Sequence, residues 1–262
     1  MDSGPVPYEW ASQEEALAGK AALVTGGGTG IGRSTALALA ERGADVVVVG
    51  RRPDVLEKTA ALHPGIQAVA GDVSSPADIS RFMRIALDAV GRLDVLVNNA
   101  GTLAPTPLGE FDVDTARRIW DTNVLGPTLI AQAALPQLTI NCGTIVNVSS
   151  SFGHKPAPGV SHYGASKAAL EQLTRSWALE LAERGIRVNA IAPGPTESEA
   201  LERSGRTTIE VEQIKDWERA QIPLGRRGEP EDVAHWILAL ADPAAGWVTG
   251  QVIDVDGGFG LA

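Results

Sequence analysis

Short apolar runs recur along the chain, with longer stretches of helical periodicity between them. The runs are Ala21–Val24, Asp45–Val49, Gln67–Ala70, Asp94–Val97, Thr144–Val148, Arg187–Ile191 and Val252–Val255. The intervening stretches carry apolar residues three and four apart: Ile31–Arg42, Ala77–Val90, Thr115–Leu138, Ala165–Glu183 and Pro230–Ala241. Apolar runs without polar alternation suit strands buried on both faces. Strands alternating with helices predict a parallel sheet covered on both sides. No repeat or low-complexity linker interrupts this rhythm, so it predicts one domain over 19–262. Residues 1–18, with Pro5 and Pro7, read as a loose arm or docking segment. The segment 196–223 also departs from the rhythm, and its length and position predict a substrate lid.

The unusual residues gather where the strands end. The first strand runs into Thr25-Gly26-Gly27-Gly28-Thr29-Gly30-Ile31-Gly32, the second into Gly50-Arg51-Arg52 and the third into Gly71-Asp72-Val73. The fourth ends at Asn98-Asn99-Ala100-Gly101, the fifth at Ser149-Ser150-Ser151 and the sixth at Pro193-Gly194-Pro195-Thr196. Open α/β sheets bind ligands outside the carboxyl ends of their strands. A glycine-rich joint between a strand and a helix start lets a pyrophosphate reach backbone amides and the helix dipole. The general G-x-G-x-x-G fingerprint is absent, since Ile31 stands at its last glycine position counted from Gly26. A carboxylate for ribose hydroxyls is also missing after Val49, where Gly50, Arg51 and Arg52 stand instead. Guanidinium forks pair with phosphate, so the reading favours NADP(H) over NAD(H), with Arg33 as a second phosphate contact.

Tyr163 and Lys167 lie four apart at the start of a helical stretch, a spacing that puts two side chains on one face. A cation beside a phenol favours the phenolate, and lowering a phenol pKa by roughly 3 units needs about 4 kcal/mol. The spacing therefore predicts a phenol made acidic by its lysine, suited to exchange a proton with a carbonyl or carbinol oxygen.

Composition narrows the partners. A formal net charge of -10 over 262 residues argues against nucleic acid or an anionic membrane. Cys142 is the only cysteine, which excludes an internal disulfide and fits a reducing cytoplasm. The acidic first residues resemble neither a secretory signal nor a transit peptide, and no apolar stretch is long enough to span a membrane. Four histidines without close ligand spacing predict no metal site. His154 and His162 lie near the tyrosine in sequence, and neither is needed as a base if Tyr163 serves.

Taken together, these motifs resemble the classical short-chain dehydrogenase/reductase family, from about Gly19 to Gly258. The carriers are Thr25-Gly26-x-x-x-Gly30-x-Gly32, Asp72, Asn98-Asn99-Ala100-Gly101, Asn123, Ser150 thirteen positions before Tyr163, Tyr163-x-x-x-Lys167, Asn189, Pro193-Gly194 and Val255-Asp256-Gly257-Gly258. Ser149 and Ser151 flank Ser150, so the choice among the three rests on spacing. The resemblance implies a single-domain Rossmann-type doubly wound sheet of about seven parallel strands. It implies a catalytic set of Asn123, Ser150, Tyr163 and Lys167. Tyr163 exchanges the proton, Ser150 holds the substrate oxygen, Lys167 binds the nicotinamide ribose and favours the tyrosinate, and Asn123 holds a relay water. The implied cofactor contacts comprise Thr25, Gly26, Gly28, Thr29, Gly30, Ile31 and Gly32, then Arg51, Arg52, Asp72 and Val73. Asn99, Ala100, Gly101, Pro193, Gly194, Thr196 and Ser198 complete them, with Tyr163 and Lys167. The implied partner is a small carbonyl or alcohol substrate, and the implied assembly a homotetramer, or a dimer, paired through the helices at Thr115–Leu138 and Ala165–Glu183. A non-catalytic cofactor-binding or oligomeric partner protein competes with this reading, as does an epimerase or dehydratase. The latter would need a larger substrate domain than this chain has room for.

Overall fold

The computed structural model describes residues 16–198 and 207–262. Seven strands form one parallel sheet: β1 (Ala21–Thr25), β2 (Asp45–Gly50), β3 (Ile66–Ala70), β4 (Val95–Asn98), β5 (Thr144–Val148), β6 (Arg187–Pro193) and β7 (Val252–Val255). Their order is β3-β2-β1-β4-β5-β6-β7. All seven apolar runs became strands, displaced by at most two residues at an end. The valine-rich segments suit this position, because β-branched side chains pack well on a pleated surface buried on both sides.

Alternate residues supply two cores. Val46 and Val48 of β2 and Val95 and Val97 of β4 face α1 (Gly30–Glu41), α2 (Pro53–Ala60) and a C-terminal helix, Pro230–Ala241. Leu23, Val47, Leu96 and Ile145 face α3 (Pro76–Val90), α5 (Gly126–Asn141) and α6 (Ser161–Leu181). Each such side chain, withdrawn from water, contributes about 1.5–3 kcal/mol. A one-residue slip in any strand would exchange the two faces, so the register is fixed by both cores at once. Between β1 and β4 the strand order reverses. That reversal opens a crevice at the carboxyl edge.

The expected helix Thr115–Leu138 is divided. It comprises α4 (Val113–Trp120), a π-turn over Asp121–Leu125, and α5. The physical cause lies in Pro127, which has no N–H and whose ring crowds the carbonyl four residues back, that of Asn123. Two helices escaped the periodicity reading. One is α2. The other is α7 (Thr208–Gln221), which starts at a reciprocal Thr207–Glu210 capping box and buries only Val211; so thin an apolar stripe gives little periodic signal. The helix Pro230–Ala241 is α8. The proposed arm lies outside the described residues up to residue 15, as do 199–206 of the proposed lid.

At the opposite, amino edge of the sheet, Asp94 ties β1 to β4. It is 4% exposed and accepts from the Ala21 amide (3.0 Å), Lys20 Nζ (3.2 Å) and Arg92 Nε and Nη2 (both 2.7 Å). Burial disfavours its charge, but Arg92, the Ala21 amide and Lys20 outweigh burial and hold the carboxyl below the ordinary range. A depressed carboxylate contributes stability above its unfolded pKa and loses it as pH falls through the folded value. Asp94→Asn is therefore expected to lower stability at neutral pH by about 2 kcal/mol and to narrow the gap to wild type in acid. Denaturant melts at neutral and acidic pH check this. A gap that stays constant with pH contradicts it.

Candidate functional site

The first turn of α1 provides the clearest anion-binding feature. Thr29 occupies the N-cap position with extended backbone but gives no side-chain cap, so its hydroxyl leaves the opening amides without the usual intramolecular partner. The turn before it requires glycine. Gly26 has φ +67° and its missing Cβ would lie 2.8 Å from Asn99 Nδ2; a Cβ on Gly32 would overlap the Gly26 carbonyl oxygen. Asn99 holds this loop by donating Nδ2 to the Thr25 carbonyl (2.8 Å) and the Gly26 carbonyl (3.3 Å). Thr25 Oγ1 accepts in return from the amides of Asn99 and Ala100, each at 3.0 Å. Uncapped helix amides behind a close-packed glycine turn are a fitting cradle for a dinucleotide diphosphate.

The rest of the predicted cofactor contacts follow the same edge. Arg51 and Arg52 are exposed beyond β2, at the start of α2. Asp72 Oδ1 accepts from the Ser74 amide (2.9 Å) and hydroxyl (2.7 Å), which leaves its other carboxylate oxygen available. Beyond β6, Thr196 Oγ1 donates to the Gly194 carbonyl at 2.9 Å. A cavity of about 340 Å³ runs past Gly30, Arg33, Ser34, Glu197 and Ser198.

The structure brings Asn123, Ser150, Tyr163 and Lys167 to the crevice from the π-turn, the β5 edge and the first two turns of α6. It also distinguishes the three serines. Ser149 Oγ donates to Glu171 Oε1 (2.8 Å), and Ser151 Oγ donates to the Pro193 carbonyl (3.1 Å). Ser150 is the one of the three whose side chain acts on the Tyr163 phenol. It also caps the short turn Ser151–Gly153 through the Phe152 amide, at 3.3 Å. The Tyr163 ring is half-buried, edge-on to Phe152 with centroids 6.4 Å apart.

Lys167 is 4% exposed and donates Nζ to the Val148 carbonyl at 2.8 Å. Its Nζ lies 5.8 Å from the centre of the Tyr163 ring. Burial depresses the ammonium to about 8, against the opposing pull of the Glu171 carboxylate. This corrects the acidic phenol expected from the spacing. Burial pushes Tyr163 above the ordinary phenol value, and the Ser150 hydrogen bond opposes it without overcoming it. Sequence spacing showed that a cation was near; it could not show that the same environment dries both groups.

Asn123 is fully buried, and both hydrogens of its side-chain amide are engaged. Nδ2 donates to the Thr102 carbonyl and Ser166 Oγ, both at 3.0 Å, while Oδ1 accepts from the Thr102 amide at 2.8 Å. The amide thus fixes the loop after β4 to α6, with one lone pair of Oδ1 left beyond its bond from the Thr102 amide. The main-chain carbonyl differs, because Pro127 cannot supply the N–H that a regular helix would give it.

Other residues settle into supporting roles. His162 Nδ1 accepts from Trp120 Nε1 at 3.2 Å, and its ring stacks at 4.9 Å from Phe111. Among the described residues no group of histidine, cysteine and carboxylate side chains could hold a metal. Asp256 caps the final turn through the amides of Gly258 (2.8 Å) and Gly260 (2.6 Å). Glu171 and Asn147 were passed over in the sequence. An acidic residue on a helix face otherwise occupied by Ser166, Leu170 and Thr174 was the available signal for Glu171.

Known proteins match this sequence along nearly the whole chain. A family model described as enoyl-(acyl carrier protein) reductase matches residues 26–260. The 3-oxoacyl-(acyl-carrier-protein) reductase FabG of Thermotoga maritima is 38% identical over 248 residues, covering 93% of this chain and 98% of that protein. The 7alpha-hydroxysteroid dehydrogenase of Escherichia coli K12 is 35% identical over 249 residues, covering 92% and 94%. A solved short-chain type dehydrogenase/reductase from Mycobacterium marinum superimposes with a TM-score of 0.85 at 36% identity, covering 94% of this chain and 97% of that one. No helix among the described residues is long and apolar enough to cross a membrane.

Proposed function

Because the chain belongs to the short-chain dehydrogenase/reductase family of oxidoreductases, we propose that it interconverts a secondary alcohol and a ketone with NADP(H) as the preferred cofactor. The observation that carries this reading is the meeting of the Ser150 and Tyr163 hydroxyls beside the buried Lys167 ammonium, at the mouth of the crevice.

Hydride exchange is the chemistry that a bound nicotinamide supplies. The chain's part is position and protons. Ser150 and Tyr163 are near enough to interact, and together their hydroxyls can hold a substrate oxygen. A phenol kept protonated by burial suits it to donate, so reduction is favoured at neutral pH. Oxidation needs the phenolate and gains as pH rises. Lys167 keeps a positive charge behind the phenol up to about pH 8 and orients ribose hydroxyls. The Asn123 main-chain carbonyl, left without the N–H of Pro127, accepts the water that restores the proton. The uncapped amides of α1 would hold the diphosphate.

The helix α7 acts in this reading as a cover. Arg227, 5% exposed, donates Nη2 to the Thr196 carbonyl (2.7 Å) and pairs with Glu197 (2.9 Å) and with Glu218 of α7. Lys215 of α7 also reaches Glu197, at 2.9 Å. The cover is thus attached to the loop beside the proposed nicotinamide position. Half-buried Trp177 of α6 and exposed Leu125 and Leu179 support pairing of α5 and α6 across subunits into a homotetramer; a sedimenting mass of a single chain contradicts this part.

Two measurements test the activity and cofactor. A panel of secondary ketones with NADPH should include substrates that consume the reduced cofactor; tight cofactor binding without consumption across the panel overturns the proposal. Arg51→Ala should weaken NADPH binding by about 10–100-fold, the equivalent of a charge-assisted contact, and leave NADH nearly unchanged. Equal losses for both cofactors remove the basis for NADP(H) preference.

A further inference from the structure

Glu171 is a buried carboxylate for which the proposed reaction has no use. It is 5% exposed, one helical turn beyond Lys167 on the same face of α6. A lone carboxylate so placed costs several kcal/mol unless paired, and its surroundings are built to keep it. Ser149 Oγ donates to Oε1 at 2.8 Å, and Ser149 is also linked to the Lys167 carbonyl at 3.3 Å. A Cβ at Gly153 would overlap Oε1, so the chain gives up a side chain there to admit the carboxylate.

The charged groups around this pair can be followed from the site to the surface. Lys167 faces Tyr163 on α6, the Asn123 amide of the π-turn across the bare Gly101, and the Val148 carbonyl of β5. Glu171 faces Ser149 at the end of β5 and His154 Nδ1 at 3.5 Å. The other nitrogen of His154 lies 3.1 Å from Asp254 Oδ1 of β7, with the Asp256 carboxylate close to the same corner. Within this set Glu171 is the carboxylate that lies on the ammonium's own helix face, and its attraction is the one influence that opposes the loss of charge by burial.

We propose that Glu171 is the positioning residue for Lys167, its carboxylate one turn along the same helix face keeping the ammonium charged where the Val148 carbonyl holds it. This rests on the reading of Lys167 as the ammonium of the active site. A purely structural Glu171, present only to receive the Ser149 hydroxyl, would be replaced by glutamine without effect on the lysine, because the amide oxygen accepts the same bond.

The chain has five lysines, so their side-chain nitrogens can be followed by 15N NMR, with Lys167→Arg identifying the signal of Lys167. In wild type Lys167 should titrate near 8. In Glu171→Gln it should titrate lower by about one pH unit or more. The alkaline limb of kcat/KM should move down by the same amount, with KM for ketone little changed. Should Glu171→Gln not fold, Glu171→Asp draws the charge back by one methylene and is expected to shift the lysine the same way by less. An unmoved Lys167 in a folded variant overturns the proposal. The titration needs no turnover, so a shifted lysine in a chain that reduces no ketone supports this inference while counting against the oxidoreductase reading.

Discussion

Tyr163→Phe should remain folded, still retain reduced cofactor through the glycine turn and Lys167, and reduce ketones about 10³-fold more slowly. The argument rests on what the substitution leaves in place. The ring keeps its edge-on contact with Phe152, and Lys167 keeps its bond to the Val148 carbonyl, because neither involves the hydroxyl. The hydroxyl is lost, and with it the proton donor and its interaction with Ser150. The pH dependence of the wild type follows from the two displaced groups. Burial lowers the lysine, so its charge is present below about pH 8 and disappears above it. Burial raises the phenol, so the donor itself is still protonated where the ammonium is failing. Reductive kcat/KM should therefore be level through neutral pH and break first near 8. A profile that falls through pH 6–7 contradicts this order, as does a Tyr163→Phe protein with wild-type turnover.

Gly32→Ala should damage both the fold and the cofactor site. Its Cβ would overlap the Gly26 carbonyl oxygen and press on Asn99 Nδ2. The carbonyl is backbone, and Asn99 is already committed to the Thr25 carbonyl, so neither can retreat cheaply. Overpacking of this kind costs about 1–3 kcal/mol. The amides of the α1 turn would move with the glycine loop, and cofactor affinity should fall by about tenfold or more, since a displaced loop loses contacts worth at least 1.4 kcal/mol. Gly109→Ala is the matched control, because nothing lies within 4 Å of its added methyl. Thermal melts and cofactor titration read both effects. Equal behaviour of the two variants would contradict the close-packed turn.

The parts of this molecule that were legible in the sequence are those governed by local pattern. Valine runs such as Val46–Val49 read as buried strands, and the glycine turn and the Tyr163-x-x-x-Lys167 pair each span only a few residues of sequence. What remained hidden depends on packing between distant segments. Pro127 was visible, yet a helical stretch with proline reads as continuous until the π-turn at Asn123 is seen. The helix α7 looked irregular because its stability derives from a capping box and from ion pairs to Arg227 and Glu197, rather than from an apolar face. The choice of Ser150 over its neighbours needed to show where Ser149 and Ser151 spend their hydroxyls. The phenol was misjudged for a related reason. Spacing reports proximity, whereas the pKa depends on how far burial dries the phenol and the ammonium together.

The most direct test of the account follows one atom. Under single-turnover conditions, wild-type protein loaded with NADPH deuterated at the transferring position and a ketone from the active panel should place the label on the carbinol carbon of the product, and Tyr163→Phe should lose this transfer while retaining the cofactor. Label that never reaches the product carbon in wild type, or reaches it equally fast without the phenol, contradicts the central claim.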